Sequence, residues 1–392
     1  MSGSADRVDE RVDVVAAARS FQKELVSRAD EIERARRLPR DLSRRFAEAG
    51  LYRTCVPAAY GGLELPPFET MEAIETLARA DGSAAWCVFI GATSGTVLAL
   101  LAEDAAREIF HHREVLLGGV FAPRGTAVAV DGGFRVNGRW QWGSGTENAD
   151  WVMGGCQLIR DGEPERMKSG APRSRMMIAP AAEIEFLDTW HVSGLCGTGS
   201  TDFAMNDLFV PARRAAGLGV DGPLPRPLYA FPNFGLLAMG IAAVAMGLAR
   251  AAIDALVDLA GGKTPQGSSR TLAMRPSTQS DVSRAEALLR SARAFYYETV
   301  ESAWQSACAR GVIDQAQRRD VRLATTHATR ACAQAVDLVY ELAGGSSVYR
   351  SSPLQRIFRD VHVATQHMMV SPATLELTGR LFLGLETDTS LL

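Results

Sequence analysis

Ser144 lies between two glycines in a stretch that also carries three tryptophans, NGRWQWGSGTENADW at residues 137–151. Flat indole rings on strands can wall a planar ligand, and flanking glycines let a hydroxyl group and the backbone approach such a ligand closely. The pattern is typical of a binding site for a flat organic ring. Because aromatic side chains usually fill cores, a tryptophan-rich hairpin that packs on its own domain is the alternative interpretation.

His367 is the second residue whose type and position favour chemistry. It follows Thr365 and Gln366 and lies just beside an apolar stripe of helical spacing. This spacing predicts one helix that begins at Pro353 and continues through Met368. An imidazole can hold or release a proton near neutral pH, although a histidine beside such a stripe more often has a structural role.

A third stretch, DTWHVSGLCGTGSTDFAMNDLFVP at residues 188–211, predicts two strands joined by a glycine-rich loop. Its backbone amides could line a pocket, and a structural turn is equally consistent with the pattern. The GxGxxG match at residues 217–222 precedes a proline-rich linker instead of opening a helix, so it does not predict a dinucleotide site. The sequence contains neither HExxH nor GxSxG, so we predict no metal site and no serine hydrolysis.

Composition limits the classes of protein to which the chain can belong. It has 392 residues, of which 47% are hydrophobic and 22% charged, and a net charge of −3, which gives no basic footprint for nucleic acid. The longest apolar run, residues 236–248, is too short to cross a membrane and predicts a buried helix. The polar N-terminus has no signal sequence, and six scattered cysteines form no CxxC pair. We therefore expect a cytoplasmic protein that binds neither nucleic acid nor membranes.

Three predicted domains position these residues. Helical periodicity dominates residues 1–113, which form an N-terminal α-helical domain. Short β-branched and aromatic segments separated by turns follow in residues 114–219 and predict a central antiparallel β domain. Residues 220–392 return to long apolar periods and predict a C-terminal four-helix-bundle domain. The fold class is α+β, mostly α.

Several motifs, in this order, resemble the acyl-CoA dehydrogenase superfamily. They are GLYRTCVPAAYGG, LARADGSAAW, GRWQWGSG…ADW, FVP and LAGGSSVYRSSPLQRIFRD, and the likeness covers about residues 15 to 385. Dehydrogenases of this superfamily remove the α-proton of a thioester with a glutamate. Here the segment after Asp360 has no acid near the expected place, and none lies between Gly222 and Ile253. Without this base the α-carbanion does not form at a useful rate, which argues against a dehydrogenase.

The serine–glycine pair after Trp142, together with the TQH motif, resembles the oxygenase component of two-component flavin-dependent monooxygenases of the p-hydroxyphenylacetate 3-hydroxylase type. This resemblance implies that a separate NAD(P)H:flavin reductase supplies FMNH2 or FADH2. The flavin then reacts with O2 to a C4a-hydroperoxide, which inserts one oxygen atom into an aromatic or polycyclic small molecule. It also implies a homotetramer. An N-hydroxylase of an amine or amino sugar, an acyl-CoA dehydrogenase and a non-catalytic scaffold stay open as alternatives.

The resemblance also implies roles for individual residues. Ser144 matches the serine beside flavin N5, Trp142 its aromatic neighbour, and His367 the histidine near the C4a–oxygen adduct. A fixed hydroxyl group and a dry pocket would slow the loss of hydrogen peroxide, and the histidine would stabilise or protonate the developing peroxide. The implied cofactor-binding residues are Trp142, Ser144, Gly145, Phe121, Arg270, Gly344, Gly345, Thr365 and Gln366. The candidate substrate-pocket residues, each of which could also be plain core, are Trp86, Phe89, Thr93, Ser94, Tyr229 and Phe231.

Overall fold

The N-terminal third of the chain is helical, as predicted. The computed structural model describes residues 12–167, 170–217 and 224–392. Asp13 caps the first helix by accepting a hydrogen bond from the amide of Ala16, and Asp81 caps the fourth in the same way through Ala84. The helices of this region are α1 (Val14–Ala35), α2 (Arg40–Glu48), α3 (Pro67–Ala78), α4 (Gly82–Ser94) and α5 (Glu103–Ile109).

The central region is one sheet with the order β6-β7-β2-β1-β3-β5-β8, and β4 pairs with β3. The strands are β1 (Leu117–Val130), β2 (Gly133–Trp140), β3 (Trp151–Arg160), β4 (Glu163–Pro164), β5 (Ser174–Pro180), β6 (Glu185–Leu187), β7 (Asp202–Pro211) and β8 (Ala215–Ala216). The register of β1 against β3 is irregular around Pro123.

The sheet differs from the prediction in one pairing. Its pairs are antiparallel except β1 and β3, which run parallel and begin at the paired residues Leu117 and Trp151. The reason is the path of residues 141–150, which leave the end of β2, pass the beginning of β1 and enter β3 on its other side. Ser144 therefore lies on a crossover at one end of the sheet.

Five helices form the C-terminal region between residues 224 and 392. They are α6 (Asn233–Ala260), α7 (Pro276–Arg310), α8 (Gln315–Ala343), α9 (Pro353–Ala364) and α10 (Pro372–Phe382).

Two strongly apolar helical segments of the fold are core elements. Residues 82–100 and 233–260 are long and apolar enough to cross a membrane, but 89% and 83% of an 18-residue apolar stretch in each are buried within the fold. Their composition is explained by the interior that they form.

The helix predicted to run from Pro353 through Met368 ends at Ala364, so this prediction was wrong at its C-terminal end. Local hydrogen bonds compete with the helix there: Thr365 Oγ1 donates to the His362 carbonyl, and His367 Nδ1 accepts from the Met369 amide. His367 therefore caps a short 3-10 turn that follows α9. The predicted domain boundaries stay predictions, and residues 218–222 of the GxGxxG match lie outside the described residues.

Candidate active site

A chain of hydrogen-bonded hydroxyl groups holds Ser144. Its Oγ lies 2.6 Å from Ser200 Oγ, which lies 2.7 Å from Thr198 Oγ1. Thr198 donates to the Leu195 carbonyl, so its oxygen must accept from Ser200, and Ser200 must accept from Ser144. The direction of the whole chain is therefore fixed, and the Ser144 proton points at Ser200.

The loop that carries Ser144 is anchored to the same segment by its backbone. The amides of Gly143 and Gly145 donate to the carbonyls of Thr201 and Thr198 over 2.9 Å each. Trp142 has a φ of +64°, which bulky residues rarely adopt, and its side chain is 65% exposed beside the buried Ser144. A strained, exposed indole next to a buried, oriented hydroxyl group is typical of a ligand site.

Trp86 connects Ser144 with His367. Its indole Nε1 donates a 3.1 Å hydrogen bond to Ser144 Oγ, and its ring centroid lies 6.0 Å from that of His367. The Ser144 oxygen has two lone pairs, and only this one donor among the described residues uses them. One acceptor position of Ser144 is therefore left for a ligand N–H group.

His367 is a neutral imidazole with a defined tautomer. Because Nδ1 accepts from the Met369 amide, the proton of the neutral ring is on Nε2. Burial, and to a smaller degree the charge of Arg322, lower the pKa of His367 to about 4. The ring can therefore donate a hydrogen bond from Nε2 throughout the physiological pH range without becoming a cation.

Asp360 joins the two halves of this site. Its buried carboxylate accepts a 2.6 Å hydrogen bond from the Leu195 amide, and the Leu195 carbonyl is the end of the hydroxyl chain. The neighbouring Arg359 donates to the Ser193 carbonyl and forms a 2.8 Å ion pair with Glu33. The helix that leads to His367 is thereby fixed to the loop that orients Ser144.

Asp360 also makes stability depend on pH. Burial raises its pKa from 3.8 to about 7, so between these pH values the folded state holds a proton that the unfolded state has released. The free energy of unfolding then falls as pH rises from about 4 to about 7, by at most about 4 kcal/mol. We expect that Asp360→Asn makes the free energy of unfolding, measured with urea at each pH, less dependent on pH in this range. The control Asp131→Asn, at an exposed position, should leave the pH dependence unchanged. A curve of identical slope in Asp360→Asn would contradict this assignment.

Four of the predicted pocket residues lie on α4: Trp86, Phe89, Thr93 and Ser94. Phe89 packs edge-on against Trp86 at 4.8 Å, and Thr93 and Ser94 are buried near the end of the same helix. Gln366 donates to Thr365 directly before His367. Phe121 lies in the irregular part of β1 and is half-buried. Tyr229 and Phe231 are buried in the core that also contains Trp86 and Phe89.

Three of the predicted cofactor-binding residues lie on a different surface. Gly344 and Gly345 are exposed after α8, where Lys263 of the loop between α6 and α7 donates to the Ala343 carbonyl. Arg270 is exposed in that same loop. No contact of these three residues with Ser144 or His367 is present within the described part of the chain.

The sequence prediction missed four residues that shape the site: Thr198, Ser200, Arg322 and Asp360. The glycine-rich loop had been singled out, but for its amides and not for its hydroxyl groups. Asp360 could have been found from its place at the end of the RIFRD motif. No pattern in the sequence predicts that Arg322 is buried.

The buried carboxylates give no support to a thioester dehydrogenase. Among the described residues, Glu75 pairs with Arg293, Asp202 with Arg139, and Asp81 and Asp360 accept backbone amides. None of them is left to act as a base in the region of Ser144. The same described residues contain no group of three metal-ligating side chains.

Comparison with known proteins shows the family to which this chain belongs. Family models for the acyl-CoA dehydrogenase N-terminal and C-terminal domains match residues 9–111 and 239–372. The indole-3-acetate monooxygenase of Pseudomonas putida is 36% identical over 91% of this chain and 90% of its own. The flavin-dependent monooxygenase oxygenase subunit HsaA of Mycobacterium tuberculosis is 28% identical over 92% of both chains. This chain belongs to the flavin-dependent monooxygenases with the acyl-CoA dehydrogenase fold.

A solved relative shows the cofactor class of this monooxygenase family. XiaF from Streptomyces, whose structure is a complex with FADH2 and glycerol, superposes with a TM-score of 0.89 over 97% of this chain and 98% of its own, at 26% identity. The monooxygenase described here has residues that fit such a group. Ser144 offers an oriented acceptor, and Trp142 exposes an aromatic face beside it.

Proposed function

We propose that this monooxygenase binds the ring of a reduced flavin between Ser144 and His367 and transfers one oxygen atom of O2 to an aromatic substrate. The observation that carries the proposal is Trp86, which hydrogen-bonds Ser144 and contacts His367, so that both groups face one region. When bound, reduced flavin supplies the activation of O2.

Each residue has a role that follows from its hydrogen bonds. Ser144 accepts an N–H group of the flavin ring with its unused lone pair, and Ser200 keeps the Ser144 proton turned away. The neutral His367 donates from Nε2 to an oxygen atom that develops negative charge. Trp86 and Phe89 exclude water, and Trp142 covers the ring from the solvent side.

The substrate that we propose is an aromatic or polycyclic small molecule. The pocket residues of α4 and of the segment 227–231 are apolar or weakly polar, apart from Thr93 and Ser94. Indole-3-acetate and resorcinol, named in relatives from Pseudomonas putida and Rhizobium, are the first candidates for testing.

The partners follow from the same comparison. HsaA is described as an oxygenase subunit, so we propose that a separate NAD(P)H:flavin reductase supplies the reduced flavin, FMNH2 or FADH2. We also propose a cytoplasmic homotetramer in which Arg270, Gly344 and Gly345 bind the flavin tail of a neighbouring subunit. The exposed apolar side chains at the C-terminal end support a subunit interface: Leu375, Phe382, Leu383 and Leu385.

The experiment combines the purified protein with a flavin reductase, NAD(P)H, FMN or FAD, and ¹⁸O2. The expected result is an aromatic product with one labelled oxygen atom, formed also when a dialysis membrane separates the two proteins. A panel of amines tests the alternative, because an N-hydroxylase would place the label on nitrogen. Reduction of the purified protein by an acyl-CoA thioester, with no labelled product from either panel, would contradict the proposal.

A further inference from the structure

Arg322, on α8, is a buried charge without a counter-ion. Its side chain is 1% exposed and is among the largest of the fully buried side chains. No carboxylate forms an ion pair with it within the described ranges, and its Nε has no hydrogen-bond partner. Its one hydrogen bond, from Nη1 to the Phe234 carbonyl, is long at 3.5 Å. A buried guanidinium costs several kcal/mol unless an anion is paired with it, so this environment is incomplete without a ligand.

The same place contains the N-terminus of a long helix. Phe234 is in the first turn of α6, a helix of 28 residues that has no side-chain cap and no acidic residue in that turn. Arg322 therefore meets α6 in its first turn, where the free amides and the positive end of the helix dipole are found. Two positive groups side by side repel each other, and a bound anion stabilises both.

Arg322 and the first turn of α6 lie near the proposed substrate-pocket residues of α4. Asn233, the first residue of α6, accepts a 3.1 Å hydrogen bond from Thr96, which follows Thr93 and Ser94 of the proposed pocket. Arg322 is also close enough to His367 to influence its charge. The contact between Trp86 and His367 connects this region with Ser144, which accepts the Trp86 hydrogen bond.

We propose that Arg322 and the N-terminal turn of α6 bind the carboxylate of an aromatic acid substrate. This inference rests on the proposed function and narrows its substrate to aromatic acids. The guanidinium presents two N–H groups to the carboxylate in a bidentate pair, and the α6 amides bind the remaining lone pairs. The aromatic part of the acid then extends towards Trp86 and His367.

The test measures binding in the absence of flavin, so that it does not depend on oxygenation. Calorimetry and thermal unfolding are recorded with indole-3-acetate, phenylacetate and the corresponding neutral amides. We expect at least one acid to bind and to raise the Tm, and the amides to bind about 10- to 100-fold more weakly. Arg322→Met should weaken acid binding by a similar factor, and Arg322→Lys should retain part of it.

The ligand-free protein gives a second readout. Because Met removes an uncompensated buried charge, we expect the Tm of Arg322→Met to rise by about 2 °C or more. The matched control is Arg250→Met, since Arg250 forms ion pairs with Asp254 and Glu286. That variant should not be stabilised and should bind the acids normally.

Three results would overturn the inference: no acid binds the wild-type protein, amides bind as tightly as acids, or Arg322→Met binds acids normally. A further experiment is anaerobic titration with reduced flavin, which is itself anionic. A loss of affinity for reduced flavin alone would assign Arg322 to the cofactor and contradict the carboxylate site. If the carboxylate site is disproved, the protein can still oxygenate neutral aromatic substrates. If the ¹⁸O2 assay yields no labelled product, the protein can still bind aromatic acids, so the two proposals are tested separately.

Discussion

Replacing Ser144 by alanine is expected to make the enzyme release hydrogen peroxide instead of hydroxylated product. In our proposal the Ser144 hydroxyl oxygen accepts a hydrogen bond from the N–H group of the flavin ring. The Ser144 proton is not available to the flavin, because it is donated to Ser200 Oγ. Loss of one hydrogen bond in a dry site costs about 1–3 kcal/mol, which corresponds to a roughly 5- to 150-fold faster loss of peroxide. The measurement is the lifetime of the near-ultraviolet absorbance after anaerobic protein and reduced flavin are mixed with O2, together with peroxide per NAD(P)H consumed.

The control for this prediction is Ser200→Ala. It removes the acceptor for the Ser144 proton but keeps the Ser144 oxygen and its bond from Trp86. We expect a smaller increase in peroxide than in Ser144→Ala. Thermal unfolding of both variants separates a folding defect from a chemical one, because alanine at 144 also leaves the buried Trp86 N–H without an acceptor. If both variants keep the lifetime of the wild-type protein, Ser144 has no part in the reaction.

Long helices were predictable from the sequence because their apolar periods extend over many turns. The apolar run at residues 236–248, which predicted a buried helix, lies within α6. The end of α9 was not predictable from the apolar stripe. It is decided by the side-chain hydrogen bonds of Thr365 and His367, which the spacing of apolar residues does not encode.

The site was predictable only in part, for a physical reason. Ser144 and His367 were singled out by their neighbours in sequence, but the atoms that orient them come from distant segments. Ser200 is 56 positions from Ser144, and the Asp360–Leu195 hydrogen bond joins residues 165 positions apart. The burial of Arg322 likewise depends on how α8 packs against α6. Such contacts arise from the tertiary fold, and one sequence does not reveal them.

Substitution of His367 by asparagine is expected to lower product formation by about 10²-fold while flavin still binds. Asparagine is a good N-cap and can accept the Met369 amide as His367 Nδ1 does, so the turn after α9 is preserved. What it loses is the Nε2–H donor. Product per reduced flavin, measured in a single turnover, reports this loss.

The pH dependence of the reaction distinguishes a neutral donor from an imidazolium acid. With a pKa lowered to about 4, His367 does not change charge between pH 5 and 8, so it should add no step to the rate profile in this range. An imidazolium acid of ordinary pKa would instead produce a fall in rate near pH 6.5 that disappears in His367→Asn. His362→Asn is the matched control, because His362 binds Asp337 and lies on α9, five residues before His367. Finding that fall in rate in the wild-type enzyme and in His362→Asn, but not in His367→Asn, would show that His367 acts as a cation and that a bound ligand raises its pKa.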